Sequence, residues 1–361
     1  MKILPKFWQK AVLAAVIGAS VVAGCSTQQL EKNPAAAVTN LRYQSYPGLV
    51  SLPELAQDLG YLGKIKLDYV GTVQGGPQDL LTLVAGDVDF ASAFNGAVVK
   101  VIAAGLDVVP VVASYGSDAE MNVGFYVLEN SPIRSARDFI GKKVAVNAFG
   151  AHYEFIVKDY LLRHGLSEKE IREVELIVLP PISAEQALRN GQIDIAVFSG
   201  ILEKRALKSG GVRPVFKDIE LYGPFTAGSY SMRRDFIEQN PELAKTFVNG
   251  VARAQEWLHS TPKEQIIARM ESIIDKRQRN ETKVLIPFYT GTGVHAVGGV
   301  QKDQDFAPWV KALVQEQKLK PHQLNVSRLY SNEFNPYAAQ KKLRLKKEYN
   351  HDQCFKFRSC A

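Results

Sequence analysis

One pattern of apolar and polar positions occurs twice along this chain. Gly75 to Gly96, GGPQDLLTLVAGDVDFASAFNG, predicts a short helix, a glycine turn and a strand that ends in a small polar loop. Ser183 to Gly200, SAEQALRNGQIDIAVFSG, carries the same leucine and the same Gly-x-φ-Asp-φ-Ala spacing. The echo implies two similarly built α/β lobes in one chain.

The flanking pattern agrees. Leu41 to Tyr43 reads as a first strand, Gln44 to Gly48 as a polar aromatic loop, and Leu52 to Leu59 as a helix with Ser51 and Glu54 at capping-box spacing. Ile65 to Val70 is a second strand; Ala97 to Ala104 is helical, and Val108 to Ser114 is a strand. The second half replays the order: strands at Gly124 to Leu128, Lys142 to Asn147, Val174 to Leu179, Gln192 to Phe198 and Val212 to Phe216, with helices from His152 to about His164, Ala184 to Asn190 and Ile201 to Lys208. Such alternation predicts mostly parallel sheets with helices on their faces. Phe225 to Met232 reads as a strand returning to the first lobe. Long helices open at Asn240-Pro241-Glu242 and at Thr261-Pro262, a third spans Phe306 to Gln317, and Val294 to Gly299 is a turn.

Length and composition narrow the class. At 361 residues, 46% hydrophobic and 22% charged, the chain suits a globular protein of two ordinary domains. Of the formal net charge of +7, residues 1–24 carry +3 and residues 341–361 carry +5, which leaves about −1 for the body between. A basic nucleic-acid face is therefore not supported. Lys2, Lys6 and Lys10, followed by the apolar run Ala11 to Ala23, form a secretory leader. Its end, Val22-Ala23-Gly24-Cys25-Ser26, resembles a bacterial lipobox, which would make Cys25 the lipidated N-terminus of an exported, membrane-tethered protein. Thr27 to Thr39 reads as a flexible tether. Cys354 and Cys360 lie in a basic tail from about Gln340; with His351 they do not make a zinc motif, and no cofactor is expected.

Further segments carry a resemblance. Leu52 to Leu62 (LPELAQDLGYL), Leu81 to Phe90, Ile133 to Val146 with DFIGKKVAV, Ala187 to Asp194 (ALRNGQID) and Asn240-Pro-Glu-Leu together resemble the periplasmic substrate-binding proteins of ABC importers. Within these, the chain is similar to the nitrate, sulfonate and taurine group, which also includes thiamine-pyrimidine binders. The resemblance implies a two-lobed, type II periplasmic-binding-protein fold: lobe I from 41–122 and 226–335, lobe II from 123–222, after a leader at 1–24 and a tether at 25–40, and before a tail at 340–361. It also implies a ligand held between the lobes, hinge closure, and an ABC permease in the membrane as partner to a monomeric binder.

In such sheets ligands sit beyond the carboxyl ends of strands, where helix N-termini present unpaired N–H groups. That places Tyr43, Gln44, Ser45 and Tyr46, then Gly75, Gly76 and Gln78, then Phe94 and Asn95, and Ser114 on the first wall. The second wall takes Asn147, Phe149, Gly150, Ala151 and His152, then Ser183 and Glu185, and Ser199, with Phe225 at the crossover. Asp89 and Asp194 resemble a catalytic pair, but each holds the same place in a repeated strand, which favours a structural role. Tyr43 and Tyr46 suit either stacking on a ligand or lobe packing; His152 suits either the cleft or solvent; the helix dipole accounts for Glu185 without a ligand; and Lys142-Lys143 reads as a solvated strand start. A cleft without an evident Arg or Lys admits a small oxyanion held by helix N-termini, Ser, Gln and Asn. It equally admits a planar aminopyrimidine that stacks on Tyr or Phe and hands its amino group to Glu185. The related pyrimidine-synthesising enzymes carry a cysteine-rich motif, whereas no Cys lies between Cys25 and Cys354. No nucleophile elbow or phosphate loop appears either, so a binder is expected rather than an enzyme; a sensor partner for a membrane receptor would have the same fold.

Overall fold

The computed structural model describes residues 39–338 apart from Gln74; the leader, Cys25, most of the tether and the basic tail lie outside the described residues. Among these residues ten strands and twelve α-helices follow in order, and the first sheet system is built from strands on both sides of the second one in the chain. Strand β1 (Asn40–Ser45) pairs in parallel with β2 (Lys66–Thr72), and β3 (Ala91–Phe94) and β4 (Val108–Ser117) both pair antiparallel with β10 (Phe225–Arg233). The Asp89 amide donates to the Arg42 carbonyl at 2.9 Å and so joins β1 to the residues leading into β3. The order across this lobe is β2-β1-β3-β10-β4.

The second system has the same plan. Strand β6 (Lys143–Val146) pairs in parallel with β7 (Glu175–Val178), while β8 (Ala196–Ser199) and β9 (Val212–Lys217) flank the antiparallel β5 (Val123–Leu128). A parallel bridge between Val144 and Ile195 joins β6 to the residues before β8, giving β7-β6-β8-β5-β9. Each lobe is thus a mixed sheet. Its one antiparallel strand begins where the chain has crossed from the other lobe.

Helices cover these sheets as their apolar stripes dictate. In α1 (Leu52–Asp58) Glu54 reaches back to accept from the Ser51 amide at 2.9 Å and the Ser51 hydroxyl at 2.8 Å, which fixes the helix start. Leu52, Leu55 and Ala56 pack with Phe247, Val251 and Leu258 of α10 (Pro241–Ser260) and with Ile266, Met270 and Ile273 of α11 (Lys263–Arg277). The C-terminal helices therefore cover the first sheet system. Helix α2 (Gly76–Ala85), α3 (Asn95–Ala103) and α12 (Ala307–Gln315) meet through Leu80, Leu83, Val98, Trp309 and Leu313. In the second system, α4 (His152–Arg163) is followed by α5 (Glu168–Arg172), α6 (Pro181–Arg189), α7 (Gly200–Ser209) and α8 (Asp218–Tyr222); α9 (Arg234–Gln239) follows β10.

Several boundaries differ from the sequence expectation. Asn40, Gln44 and Ser45 belong to β1, because the strand buries alternate residues as far as Ser45, beyond the point where the polar composition suggested a loop. Helix α6 begins at Pro181, three residues early, since proline suits a first helical turn. The echoed strand starts only at Ala196. Short helices α5 and α8 carry too few residues for periodicity to reveal them.

Candidate functional site

A cavity of about 170 Å³ opens beyond the carboxyl ends of β1 and β2, beside α2. Its wall is made by Tyr43, Gln44, Ser45 and Tyr46, by Leu49 to Ser51, by Val73, Phe90 and Ser92, by Tyr230 of β10, and by Asp79 of α2. Strand β1 supplies three of these, and the loop after it supplies Tyr46 and Leu49 to Ser51.

Asp79 is the charged member of this wall. It is 3% exposed, its Oδ2 accepts from the Ser92 amide at 2.7 Å, and its Oδ1 has no partner among the described residues. Burial pushes the carboxyl up to about 7, against the lowering by the Ser92 amide. The Ser92 hydroxyl donates to Ser114 Oγ at 3.0 Å, which sets Ser114 one residue behind the wall. Gln44 is held by the Thr82 hydroxyl, which donates to its Oε1 at 3.3 Å.

Tyr43 is fixed from both sides. Its ring stacks on Phe90 with centroids 5.6 Å apart, its hydroxyl donates to Glu54 Oε1 at 2.6 Å, and it accepts from Arg279 Nη2 at 2.8 Å. Burial pushes Glu54 up, but the Arg277 charge and the bonds from Tyr43 and Ser51 outweigh it and hold the carboxylate below its ordinary value. Arg279 also lies 3.4 Å from Ser45 Oγ, behind the wall. No Lys or Arg lines the cavity itself.

The second lobe meets this region at three points. At Gly75 a Cβ would stand 3.0 Å from Ala148 Cβ and 3.4 Å from Asn147 Nδ2, so only a residue without a side chain fits at this approach without displacing its neighbours. The Phe94 ring stacks on His152 at 4.5 Å and meets Phe155 edge-on at 5.2 Å. Burial, and after it the charges of Tyr153 and Asp79, push the Tyr46 hydroxyl up, which puts Tyr46 within electrostatic reach of both lobes. On the second wall Tyr153 OH lies 3.2 Å from Ser199 Oγ.

At the crossovers His152 Nε2 and Asp218 Oδ2 stand 3.8 Å apart, and neither has a hydrogen-bond partner among the described residues. Burial brings the imidazole down to about 3, so it is neutral and the approach is not an ion pair. Burial also pushes Asp218 up to about 6, against bonds to Oδ1 from the Val123 amide at 3.0 Å and the Ser117 hydroxyl at 2.8 Å. Asp218 thereby ties the end of β4 to the start of β5.

The sequence-derived residues fall into three groups. Tyr43, Gln44, Ser45 and Tyr46 line the cavity; Gly75, Phe94, Asn147 and His152 lie where the lobes meet, with Asn147 Oδ1 buried and unpartnered, and Ala151 is buried as the cap of α4. Gly76 packs α2 onto β3, its position 2.8 Å from Ala93 Cα for any added Cβ, and Gln78 follows in the same helical turn. The others are placed elsewhere. Asn95 is buried in an internal network, donating to the carbonyls of Thr226 and Asp305 and accepting from the Ser229 hydroxyl at 2.7 Å. Glu185 binds Arg189 and Arg205 on its own lobe, Phe149 is 61% exposed, the Gly150 amide donates to Glu154 Oε2 at 2.5 Å, and Phe225 packs among Tyr222, His152 and Trp309. Asp79, Ser92 and Tyr230 were not singled out from sequence, although Asp79 and Ser92 lie inside the repeated stretch. Asp89 and Asp194 play one structural role: each accepts from the amide of a first-strand residue, Arg42 at 2.7 Å and Lys143 at 2.9 Å.

Among the described residues no helix is long and apolar enough to cross a membrane, and no group of three His, Cys, Asp or Glu is placed to hold a metal ion. The profile of the family described as NMT1/THI5 like matches residues 54–265. A protein of Escherichia coli (strain K12) named for binding aliphatic sulfonates is 29% identical over 177 residues, which is 49% of this chain and 51% of that protein. The taurine-binding periplasmic protein of the same organism is 26% identical over 152 residues, 39% of this chain and 45% of its own. The chain thus spans about half the length of the curated relatives it matches. Among solved structures, the periplasmic nitrate-binding protein NrtA of Synechocystis PCC 6803 superposes with a TM-score of 0.64 at 15% identity, covering 84% of this chain and 89% of its own. The two-lobed periplasmic-binding-protein fold is the architecture they share.

Proposed function

The chain belongs to the NMT1/THI5-like family, and from that premise we propose that it is an extracytoplasmic solute-binding protein. It captures a small organic or oxyanion solute of the sulfonate, taurine or nitrate kind between its lobes and delivers it to an ABC permease. It acts as a monomeric binder and not as an enzyme. The lipobox-like Val22 to Cys25 supports tethering to a membrane through a lipid on Cys25.

The observation that carries this reading is the position of the cavity. It lies beyond the carboxyl ends of parallel strands, beside the start of α2, on the side where Gly75 and Phe94 meet the other lobe. Closure of the second lobe over this wall would exclude water from a small solute.

The reading is tested by thermal unfolding of the purified protein with taurine, alkanesulfonates, nitrate and aminopyrimidines. A cognate solute at a hundred times its Kd stabilises the folded chain by about 2.7 kcal/mol and raises Tm. No rise with any of them would remove the proposed solute class. Mass spectrometry of the membrane-extracted protein tests the anchor, with diacylated Cys25 at the mature N-terminus as the expected result and an unmodified Cys25 as the adverse one.

A further inference from the structure

Asp79 poses a problem that the proposed solute class does not solve by itself. A buried carboxyl with one free oxygen beside a cavity is costly when nothing answers it. A bare oxyanion does not answer it, since it offers no donor and brings like charge. The surroundings do not answer it either. No Lys or Arg lines the cavity, Ser92 already engages Oδ2, and Arg279 is committed to Tyr43 and Glu54. Across the meeting of the lobes, Asp218 Oδ2 is a second buried carboxylate oxygen with no partner. The cavity wall itself presents an unpaired acceptor and no Lys or Arg, while His152 stands 3.8 Å from Asp218 Oδ2.

We propose that Asp79 is the residue that recognises a nitrogen-borne donor on the solute, an ammonium or an exocyclic amino group, so that this chain selects amino-bearing solutes over bare oxyanions. Asp79 lines the cavity and its Oδ1 carries no bond, so a solute N–H that reaches Oδ1 would leave Ser92 to keep Oδ2 oriented. The aromatic faces of Phe90 and Tyr230, which share the wall with Asp79, surround the donor with apolar surface, where a charge-assisted bond is strong. The inference rests on the reading of the chain as a small-solute binder and adds its selectivity. An ammonium on an alkanesulfonate and an amino group on a pyrimidine supply the same chemistry.

Isothermal titration separates these sources. Taurine is compared with ethanesulfonate, and 4-amino-2-methylpyrimidine with 2,4-dimethylpyrimidine, on the wild-type chain and on Asp79→Asn. The expected result is that one amino-bearing member binds the wild type about tenfold or more tighter than its amine-free counterpart, and that Asp79→Asn erases the difference by weakening the amino-bearing member. A pH series adds a readout that loss of packing would not give. Affinity for the amino-bearing solute falls as pH drops below about 7 and Asp79 takes up its proton, while ethanesulfonate shows no such fall. Tyr43, Tyr46 and Tyr230, the other titratable groups on the cavity, are all raised by burial and stay protonated throughout. Should Asp79→Asn lose its folded circular-dichroism signal, the pH series on the wild type decides. Equal affinities within each pair, with no effect of Asp79→Asn, overturn the role of Asp79 and leave the sulfonate reading standing. Asp79-dependent binding of the aminopyrimidine alone supports the role of Asp79 and overturns the sulfonate reading. Absence of binding in every arm overturns both.

Discussion

Aligned on Gly86 and Gly191, the two repeated stretches separate what the fold requires from what the site requires. Leu83 and Leu188 are both buried under their helices, and Asp89 and Asp194 both accept from a first-strand amide. These shared positions join the first parallel pair of strands to the rest of each sheet. Where the first repeat has Asp79, the second has Ala184, and both are buried. The second lobe thus shows that the helix–turn–strand unit needs no carboxylate there. What remains in Asp79 beyond its bond to Ser92 is an acceptor without a structural use.

The largest test of this contrast is Ala184→Asp. It places a carboxyl in the packed apolar cluster of Ala187, Leu188 and Phe198, and is expected to destabilise the chain by about 3 kcal/mol in chemical denaturation. A loss under about 1 kcal/mol would mean that the second repeat tolerates the acid and that the contrast carries nothing. Asp89→Ala comes next. It frees the Arg42 amide and both guanidinium contacts, and because the Arg42 side chain is 41% exposed the expected loss is discounted to about 2 kcal/mol. Asp194→Ala removes one backbone contact and should cost about 1 kcal/mol. If these two losses were reversed, the two aspartates would not share one role.

The smallest effect is expected from Asp79→Asn in the solute-free protein. The Asn side-chain oxygen can keep the Ser92 bond, while its buried NH₂ offsets most of the gain from removing a charge, so the net change stays within about 1 kcal/mol. The pH dependence is clearer than the size. Unfolded Asp titrates near 3.9 and folded Asp79 near 7, so between these values the folded chain holds more protons and wild-type stability falls as pH rises. Asp79→Asn removes that fall, so the two denaturation profiles lie closest near pH 7 and the wild type gains on the variant as pH drops towards 4. Parallel profiles across pH 4 to 8 would place the Asp79 pKa near its ordinary value.

The repeat, the order of most elements and the place of Tyr43 to Tyr46 on the cavity were legible in the sequence, because each rests on local periodicity or on the rule that strand ends hold ligands. The position of β10 was less so. Its place between β3 and β4 depends on pairing with residues more than a hundred positions away, and no local pattern encodes that. Glu185 misled for a similar reason, since one of its two partners, Arg205, sits on the next helix. Asp79 was hidden by its company: an acid early in a helix ordinarily reads as a favourable charge at the dipole's positive end, and only the fold shows that it is buried.

The insertion of β10 between β3 and β4 also sets a schedule for biosynthesis. Both neighbours emerge from the ribosome before residue 118, yet the ladder that joins them waits for residues 225–233. Until then the first sheet has a gap between β3 and β4, and the α10 face that covers it has not been made. Closing so long a loop is slow. A nascent chain of this topology therefore stays open for most of its synthesis, the state in which a polypeptide can be threaded across a membrane before it folds.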